Sequence, residues 1–318
     1  MPAPPPDPEL VALTGATGFV GRHVARRLCA GGLRLRALVR RDDPGLATEG
    51  AELVRGGLDD PAALEALVAG AGTVVHVAGL VAAPSRTAFA RANVEGTARL
   101  VEAARRRAEG ARFVLVSSLA AREPALSAYA WSKREAERVV EAAADALEPI
   151  VVRPPAVYGP GDKATLPIMA QLARGLLLAP RARANRFSLI YVEDLADLLA
   201  TAVLEGAPSR VPLEPDDGRP EGYRWRDLAD LAAARLRRPV RLVELPRSLM
   251  TTAALLAEAS ARPLGRPPRL SRGKIAELFH PDWLARRDGL EARSWRPRVP
   301  FEEGLPRTLS WYRAEGWL

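Results

Sequence analysis

The sequence predicts an α/β protein with a doubly wound parallel sheet, followed by a smaller α+β region toward the C-terminus. Short apolar runs alternate with amphipathic stretches over the first half of the chain, which is typical of parallel strands joined by helices on both faces of a sheet. The first apolar run ends in a turn that contains Gly15, Gly18 and Gly21. The length of 318 residues exceeds that of one ordinary domain, which predicts the second region.

The first strand and the turn after it have the features of a dinucleotide-binding segment. Residues 10–14 form a short apolar run suited to a buried parallel strand. Gly15 permits a sharp exit turn, Gly18 lets the backbone approach a pyrophosphate, and Gly21 lets the next helix pack against the strand. The N-terminus of that helix would offer N–H groups and a partial positive charge to the phosphates.

The later elements continue the alternation and then lose it. Strands are predicted at 33–39, 51–55, 73–77, 113–117 and 150–153, and helices at 61–69, 88–109 and 128–147. Beyond residue 153 we expect helices at 166–178, 193–204, 226–236 and from 247, with strands at 186–192 and 240–244. This pattern predicts a flexible leader at 1–9, a nucleotide-binding domain at 10–162 to which 187–205 returns, and a substrate-binding α+β domain in the remainder of 163–318.

Composition and charge predict a globular protein and exclude several other classes. The chain is 48% hydrophobic and 26% charged, and its single cysteine, Cys29, rules out an intramolecular disulfide. No apolar run approaches the roughly 18 residues of a membrane span, and residues 1–10 lack a signal peptide's regions, so we expect a cytoplasmic location. The net charge of +8 comes from scattered arginines without interleaved aromatic residues, so no nucleic-acid partner is expected. No metal site is predicted.

Tyr129, Lys133 and the serine pair at 117–118 form a candidate proton-transfer site. Tyr129 and Lys133 stand at i and i+4, so both project from one face of a predicted helix. A lysine ammonium one turn away favours phenolate and lowers the tyrosine pKa from its usual value of about 10. A serine hydroxyl can hold a substrate oxygen. Hydride transfer to a carbonyl needs one proton donor at oxygen, and this trio supplies one.

Seven segments carry a family resemblance, and they occur in order along the chain. They are TGATGFVG at 14–21, HVAG at 76–79, NVEGT at 93–97, VSSLA at 116–120, YAWSK at 129–133, RPPAVYGPGD at 153–162 and FSLIYVEDLADLL at 187–199. Together they resemble the extended short-chain dehydrogenase/reductase family, also called the NAD-dependent epimerase/dehydratase family. The resemblance runs from residue 10 to about residue 205 and implies a Rossmann fold that binds a nicotinamide cofactor.

The resemblance implies a role for each matching residue. Tyr129 would be the general acid/base, and Lys133 would bind the nicotinamide ribose and lower the Tyr129 pKa. Ser118, rather than Ser117, would hydrogen-bond the reacting oxygen, and Asn93 would support the proton path or the nearby helix backbone. Beside Tyr129 and Lys133, cofactor contacts are implied for Thr14, Gly15, Thr17, Gly18, Phe19, Val20, Gly21, Gly57, Leu58, Val77, Ala78, Gly79, Pro154 and Val157. His76 is expected to pack rather than to catalyse.

The end of the second predicted strand indicates which cofactor is preferred. NAD-binding sites usually place an acidic residue there, and this chain has Arg40 and Arg41. A guanidinium can bind a 2′-phosphate and stack on adenine, so we expect NADP(H) rather than NAD(H). Asp42 and Asp43 follow closely, which keeps NAD open. Relatives often carry an Asp–Leu pair on the adenine side, where this chain has Gly57 and Leu58.

Three departures from sugar-nucleotide relatives narrow the expected reaction. Ala156 replaces the asparagine that contacts substrate phosphates, and no acidic pair follows Ser118, as the 4,6-dehydratases have. The spacing from Ser118 to Tyr129 is also short. We therefore expect an oxidoreductase that interconverts a ketone and a secondary alcohol on a small, apolar or alicyclic substrate, like hydroxysteroid dehydrogenases and dihydroflavonol reductases. A sugar-nucleotide epimerase with tightly bound NAD and a non-catalytic NAD(P)-binding regulator remain the alternatives.

Two further expectations concern assembly and the apolar helices of the C-terminal part. The Ala-rich helices predicted at 88–109 and 128–147 suit the four-helix bundle through which relatives form homodimers. Apolar stripes at 166–177 and 249–256 have helical spacing, which is typical of core residues.

Overall fold

The computed structural model describes residues 7–182, 184–205, 211–268, 270–291 and 293–318, and it divides into two compact units. The first unit extends to Arg153 and includes Ala196–Leu213 and Asp288–Trp295. The second unit comprises Pro154–Leu195, Glu214–Arg287 and Arg296–Leu318. The division falls at residue 153 rather than at 162, and the segment that returns begins at Ala196 rather than at 187. The return of 288–295 was not predicted.

A six-stranded parallel sheet forms the centre of the first unit, as predicted. Its strands are β1 (Asp7–Thr14), β2 (Arg34–Val39), β3 (Glu52–Arg55), β4 (Ala71–His76), β5 (Arg112–Val116) and β6 (Glu148–Val152). Their order is β3-β2-β1-β4-β5-β6. The order reverses between β1 and β4, and ligands of such sheets bind beyond the carboxyl ends of the strands at this point. Strand β1 begins three residues before the predicted start, so Asp7–Glu9 belong to the sheet, and residues 1–6 of the predicted leader lie outside the described residues.

The helices of the first unit start where polar residues cap them. Asp43, Asp60, Ser85 and Ser127 each accept a backbone N–H bond at a helix N-terminus. The helices are α1 (Phe19–Ala30), α2 (Pro44–Thr48), α3 (Pro61–Val68), α4 (Arg86–Phe89), α5 (Gly96–Arg107) and α6 (Ala128–Glu141), with a 3₁₀ turn at Leu119–Arg122. The predicted helix at 88–109 is interrupted by a π-helical turn at Ala90–Glu95. The predicted helix at 128–147 ends at Glu141.

The second unit combines short strands with helices, as an α+β region should. Its strands are β7 (Ala156–Tyr158), β8 (Leu176–Pro180), β9 (Arg186–Phe187), β10 (Leu189–Tyr191), β11 (Arg241–Leu245) and β12 (Asp282–Trp283), paired as β10-β7, β11-β8 and β12-β9. Its helices are α7 (Leu166–Ala173), α9 (Trp225–Leu236), α10 (Arg247–Ala261), α11 (Arg272–Leu278) and α12 (Phe301–Ala314). Helix α8 (Val192–Glu205) begins in the second unit and continues into the first.

Two predictions about the apolar stripes were wrong in part. The helix predicted at 166–178 ends at Ala173, because Gly175 has a φ of +79° and the next five residues form β8. Met169, Leu172 and Leu177 are nevertheless buried in the core of the second unit. The stripe at 249–256 is not core: Leu249, Leu255 and Leu256 of α10 are exposed.

Candidate active site

The glycine turn brings backbone segments so close together that a side chain at Gly15 or Gly21 would clash with them. Gly15 has a φ of +77°, and a Cβ added to it would lie 2.6 Å from the backbone nitrogen of Ala78. A Cβ on Gly21 would lie 2.0 Å from the carbonyl oxygen of Gly15, so α1 could not begin this close to β1 with any other residue. Gly18 caps α1 without a side chain, and the first turn carries no acidic residue. The turn therefore fits a dinucleotide pyrophosphate.

The predicted cofactor residues of this turn have different environments. Thr17 and Gly18 are exposed, and Phe19 and Val20 are half-buried at the start of α1. Thr14 is fully buried and its hydroxyl contacts the ring of His76, and its predicted cofactor contact stays a prediction.

The charged residues after β2 divide into a paired set and an exposed set. Arg22 Nη2 donates to the Asp43 carboxylate at 2.6 Å, and this bond lowers the pKa of Asp43. Asp43 also accepts the N–H of Leu46, because it caps α2. Arg40 and Arg41 are exposed immediately after β2. The Asp43 carboxylate is thus already paired, and the contact of Arg40 and Arg41 with a ribose phosphate stays a prediction.

Leu58 packs beneath the adenine side of the predicted site. A Cβ on Gly96 at the start of α5 would lie 2.9 Å from Leu58 Cδ1, so the leucine covers this glycine. Gly57, half-buried next to it, follows β3. After β4, Val77 and Ala78 are half-buried and Gly79 is exposed.

The two serines after β5 have different partners, which separates their roles. Ser117 is buried, and its hydroxyl donates to the Glu137 carboxylate at 2.5 Å. Ser118 is half-buried and accepts the N–H of Ala120 at 3.2 Å, because it caps the 3₁₀ turn. This acceptor bond leaves the Ser118 hydroxyl proton available to a substrate oxygen. The predicted role of Ser118 is compatible with this geometry and stays a prediction.

Helix α6 carries Tyr129 and Lys133 one turn apart. Lys133 Nζ donates to the carbonyl oxygen of Val116 at 2.7 Å, which joins this face of α6 to the end of β5, two residues before Ser118. A Cβ on Gly79 would lie 3.7 Å from Lys133 Nζ, so the ammonium group also adjoins the loop after β4. Burial lowers the pKa of Lys133 to about 8, and the negative charge of Glu137 opposes that shift. The Tyr129 ring lies 6.0 Å from that of Phe89.

Asn93 connects three parts of the site through its side chain. Its Oδ1 accepts the N–H of Leu80 at 2.7 Å, and its Nδ2 donates to the carbonyl oxygen of Leu80 at 3.0 Å. Nδ2 also donates to Ser132 Oγ at 2.9 Å, and that hydroxyl donates to the carbonyl oxygen of Tyr129. Asn93 lies in the π-helical turn, a feature that often occurs at functional sites. Its contacts hold the loop after β4 against α6.

His76 occupies the centre of a buried hydrogen-bond chain. Thr97 Oγ1 donates to the carbonyl oxygen of Asn93 at 2.6 Å, so it must accept from Nε2–H of His76, 2.9 Å away. Nδ1 then accepts from Thr14 Oγ1 at 2.6 Å, and Thr14 accepts the N–H of Ala78. Burial lowers the pKa of His76 to about 3, which keeps the ring neutral. The expectation that His76 packs rather than catalyses agrees with this geometry.

Glu137 and Arg153 are the residues near the site that the sequence did not reveal. Glu137 is fully buried, and Arg153 Nε and Nη2 donate to its two carboxylate oxygens at 2.8 and 2.6 Å. Arg134 and Ser117 bind the same carboxylate. The spacing in the sequence could have identified Glu137, because it follows Lys133 by four residues and therefore lies on the same face of α6.

Pro154 and Val157 belong to the second unit. Pro154 is buried and follows β6, and Val157 is half-buried in β7 beside the exposed Ala156. Their predicted contact with the nicotinamide stays a prediction. Within the described ranges, no group of three or more His, Cys, Asp or Glu side chains could hold a metal ion, and no helix is long and apolar enough to cross a membrane.

Comparison with known proteins decides the family. Residues 11–212 match the NAD dependent epimerase/dehydratase family. The chain belongs to this family. The match covers all six motif-bearing segments up to residue 162 and the segment at 187–199 as well, so the resemblance read from the motifs is confirmed. As a member of the family, the chain is an NAD(P)-dependent oxidoreductase of the extended short-chain dehydrogenase/reductase type.

Individual relatives in the epimerase/dehydratase family are reductases. A ceramide reductase of Caulobacter vibrioides is 42% identical over 315 residues, which cover 97% of this chain and 96% of the relative. A 2-alkyl-3-oxoalkanoate reductase of Stenotrophomonas maltophilia is 29% identical, covering 93% of this chain and 97% of the relative. The crystal structure of gox2253 superimposes with a TM-score of 0.76 at 25% identity, over 97% of this chain and 99% of that one.

Proposed function

We propose that this protein is an NADP(H)-dependent ketoreductase that interconverts a ketone carrying long alkyl chains and the corresponding secondary alcohol. The observation that best supports this reaction is the hydrogen bond between Lys133 and Val116. It holds the face of α6 that bears Tyr129 against the end of β5, and Ser118 follows that strand. A proton donor, a cation that favours its ionised form and a hydroxyl for the substrate oxygen thus come from adjoining segments.

The residues of the chain have separate tasks in this reaction. The Ser118 hydroxyl donates a hydrogen bond to the substrate oxygen and orients it. Tyr129 Oη gives its proton to that oxygen in the direction of reduction and takes it back in the direction of oxidation. The Lys133 ammonium stabilises the resulting phenolate, and with a pKa of about 8 it is still mostly protonated at neutral pH. The bound nicotinamide supplies or accepts the hydride.

The preference for NADP(H) rests on the distribution of charge after β2. Arg40 and Arg41 are exposed there, while the Asp43 carboxylate is paired with Arg22. A 2′-phosphate would meet two guanidinium groups without an opposing free carboxylate at residue 43.

The proposed substrate class rests on the relatives and on the loop after β4. Both reductase relatives are named for substrates with long alkyl chains, a ceramide and a 2-alkyl-3-oxoalkanoate. In this chain, Leu80 and Val81 are exposed directly after Gly79, and Asn93 fixes the backbone of Leu80. These apolar side chains, beside the face of α6 that bears Lys133, suit an alkyl chain better than a sugar diphosphate.

Replacement of Tyr129 by phenylalanine tests the reaction. Turnover is measured as NADPH oxidation with ketones of short and long alkyl chains, including a 2-alkyl-3-oxoalkanoate. Tyr129→Phe should reduce turnover by about a hundredfold or more, because the proton donor is lost, while NADPH binding persists. Tyr158→Phe is the matched control, because the Tyr158 hydroxyl is buried in the second unit, and its turnover should match the wild type.

Several outcomes of these measurements would contradict the proposal. Unchanged turnover of Tyr129→Phe would remove that residue from the reaction. Copurified NAD together with inversion of a UDP-sugar would favour a sugar-nucleotide epimerase. NADPH binding without turnover of any ketone would favour a regulatory protein. Titration with NADH and NADPH tests the cofactor preference: Arg40→Ala with Arg41→Ala should weaken NADPH binding by about tenfold or more and leave NADH binding unchanged.

We also propose that the protein is a homodimer in the cytoplasm, with α5 and α6 at the interface. The support is by analogy, from Ala-rich helices of the kind that pack closely in related dimers. Light scattering at micromolar concentration should give the mass of two chains, and a monomer mass would reject the proposal.

A further inference from the structure

Helix α10 differs from the other long helices of the second unit because almost nothing covers it. Within its 15 residues only Ala254 is buried, whereas the 14 residues of α12 bury six side chains or glycines. Leu249, Leu255 and Leu256 are 55%, 45% and 68% exposed. Exposed leucines scattered singly are ordinary, but three within eight residues of one helix form a local apolar surface.

The exposed surface of α10 is also nearly free of charge. Between Ser248 and Ala261 the only charged residue is Glu258, and its carboxylate accepts the Arg272 guanidinium of α11 at 2.9 Å. Leu249 and Leu256 are seven residues apart and therefore share one side of the helix. A helix exposed only to water normally carries charges on that side, so the sequence of α10 suits an environment other than water.

The segment that follows α10 is strongly basic. Residues 262–274 contain no acidic residue and five basic ones, which are Arg262, Arg266, Arg269, Arg272 and Lys274. Arg262 and Arg266 are exposed, whereas Arg272 and Lys274 also pair with Glu258 and Glu277. An apolar helix face with a basic cluster beside it is the pattern of a helix that lies in the interface of an anionic bilayer.

We propose that α10, together with the exposed Arg262 and Arg266 that follow it, docks this protein onto the surface of an anionic phospholipid membrane. Leu249, Leu255 and Leu256 enter the boundary between headgroups and acyl chains, and Arg262 and Arg266 contact phosphates of the headgroups. Charge complementarity selects the bilayer over a second copy of this chain at this surface, because a second copy would present the same exposed arginines, whereas the headgroups are anionic. The attachment is peripheral and is independent of the proposed reaction.

Sedimentation with vesicles tests this proposal on the full-length protein without substrate or cofactor. The wild type should bind vesicles of phosphatidylcholine with phosphatidylglycerol, bind phosphatidylcholine alone much more weakly, and detach at high salt. Leu249→Ser with Leu256→Ser should reduce binding by about tenfold or more. Leu204→Ser is the matched control, because Leu204 is 61% exposed on α8, and its binding should equal that of the wild type.

A second pair of variants distinguishes the effect of the arginines next to α10 from the effect of the net charge of the protein. Arg262→Gln with Arg266→Gln should weaken binding about tenfold or more at low salt, whereas Arg226→Gln with Arg313→Gln removes the same charge from exposed positions elsewhere and should change it little. Circular dichroism verifies that each variant is folded. Absence of wild-type binding, or equal effects of the two arginine pairs, would overturn the proposal. The proposal would also be overturned if the wild type bound no lipid and the leucine variant had a different mass from the wild type in light scattering. In that case α10 would be a contact between copies of the chain.

The vesicle experiment and the turnover experiment can fail separately. If the protein binds vesicles but reduces no ketone, the docking proposal is supported and the proposed reaction is contradicted. A protein that reduces ketones but ignores vesicles would do the reverse.

Discussion

Two buried polar regions, the hydrogen-bond chain around His76 in the first unit and the aromatic core around Tyr158 in the second, differ in how their polar groups are satisfied. In the first unit, Thr14, His76 and Thr97 form a chain in which each hydrogen-bonding group has a partner. In the second unit, the Tyr158 hydroxyl is buried beside Tyr191 and has no hydrogen-bond partner among the described residues. The difference indicates that the polar groups around His76 hold the ends of β1 and β4 and the start of α5 together, whereas the Tyr158 hydroxyl is tolerated within an aromatic core. A buried polar group should therefore be costly to remove only where its partners remain behind.

The largest effect is expected from Glu137, a fully buried carboxylate with an arginine partner. Glu137→Gln removes the charge that pairs with the partly buried Arg153 guanidinium, so we expect a loss of about 3 kcal/mol or more in the free energy of unfolding. Chemical denaturation measures it. Glu135→Gln on the same helix is the control, because its pair with Arg138 is solvent-exposed and worth about 1 kcal/mol at most. If both variants lost the same free energy of unfolding, the buried ion pair would stabilise the protein no more than the exposed one.

Two buried threonines allow a direct comparison of the units. Thr97 and Thr308 each donate to the carbonyl oxygen four residues earlier, at 2.6 and 2.7 Å, and both are buried. Only Thr97 also accepts a bond from His76. Thr97→Val should therefore cost about 2 kcal/mol and Thr308→Val about 1 kcal/mol, because the first change also leaves the imidazole N–H unpaired. Thermal unfolding of both variants checks the order, and a larger loss for Thr308→Val would break the comparison.

The same chain of hydrogen bonds shows what the sequence could and could not predict. The glycine turn, the alternation of strands and helices and the spacing of Tyr129 and Lys133 follow from local patterns, since each depends on residues close together in the chain. The π-helical turn around Asn93 shifts the helical hydrogen-bond register, and the contacts of Asn93 with Leu80 and Ser132 come from elsewhere in the fold. No periodicity in the sequence encodes such contacts.

Burial was the other property that local patterns predicted poorly. The leucines at 176–178 fit a helix or a strand equally well, and pairing of β8 with β11 decided for the strand. The leucines of α10 have the spacing of a core helix, yet exposure depends on what the rest of the chain places over them. Ser117 and Ser118 differ for the same reason, because only the fold shows that Glu137 lies against Ser117.

The pH dependence of stability gives a smaller effect that tests the neutral state of His76. An unfolded histidine binds a proton near pH 6.5, whereas burial lowers the pKa of His76 to about 3. Between these values the unfolded chain holds more protons, so stability should fall as the pH falls, by up to about 1.4 kcal/mol per pH unit. His76→Gln should show a shallower slope between pH 6.5 and 5 in denaturation experiments. Identical slopes would mean that His76 is protonated in the folded protein.

The smallest effect is expected at Tyr158, where the hydroxyl faces Gly304 of α12: a Cβ added to that glycine would lie 2.3 Å from Tyr158 Oη. Tyr158→Phe removes a polar group that has no described partner, so stability should stay within about 0.5 kcal/mol of the wild type or rise. Tyr223→Phe is the matched variant, because the Tyr223 hydroxyl donates to the buried Asp217 carboxylate at 2.5 Å and its loss should cost about 1–3 kcal/mol. If both variants lost stability equally in chemical denaturation, the Tyr158 hydroxyl would have a partner, and the contrast between the His76 chain and the aromatic core around Tyr158 would not hold.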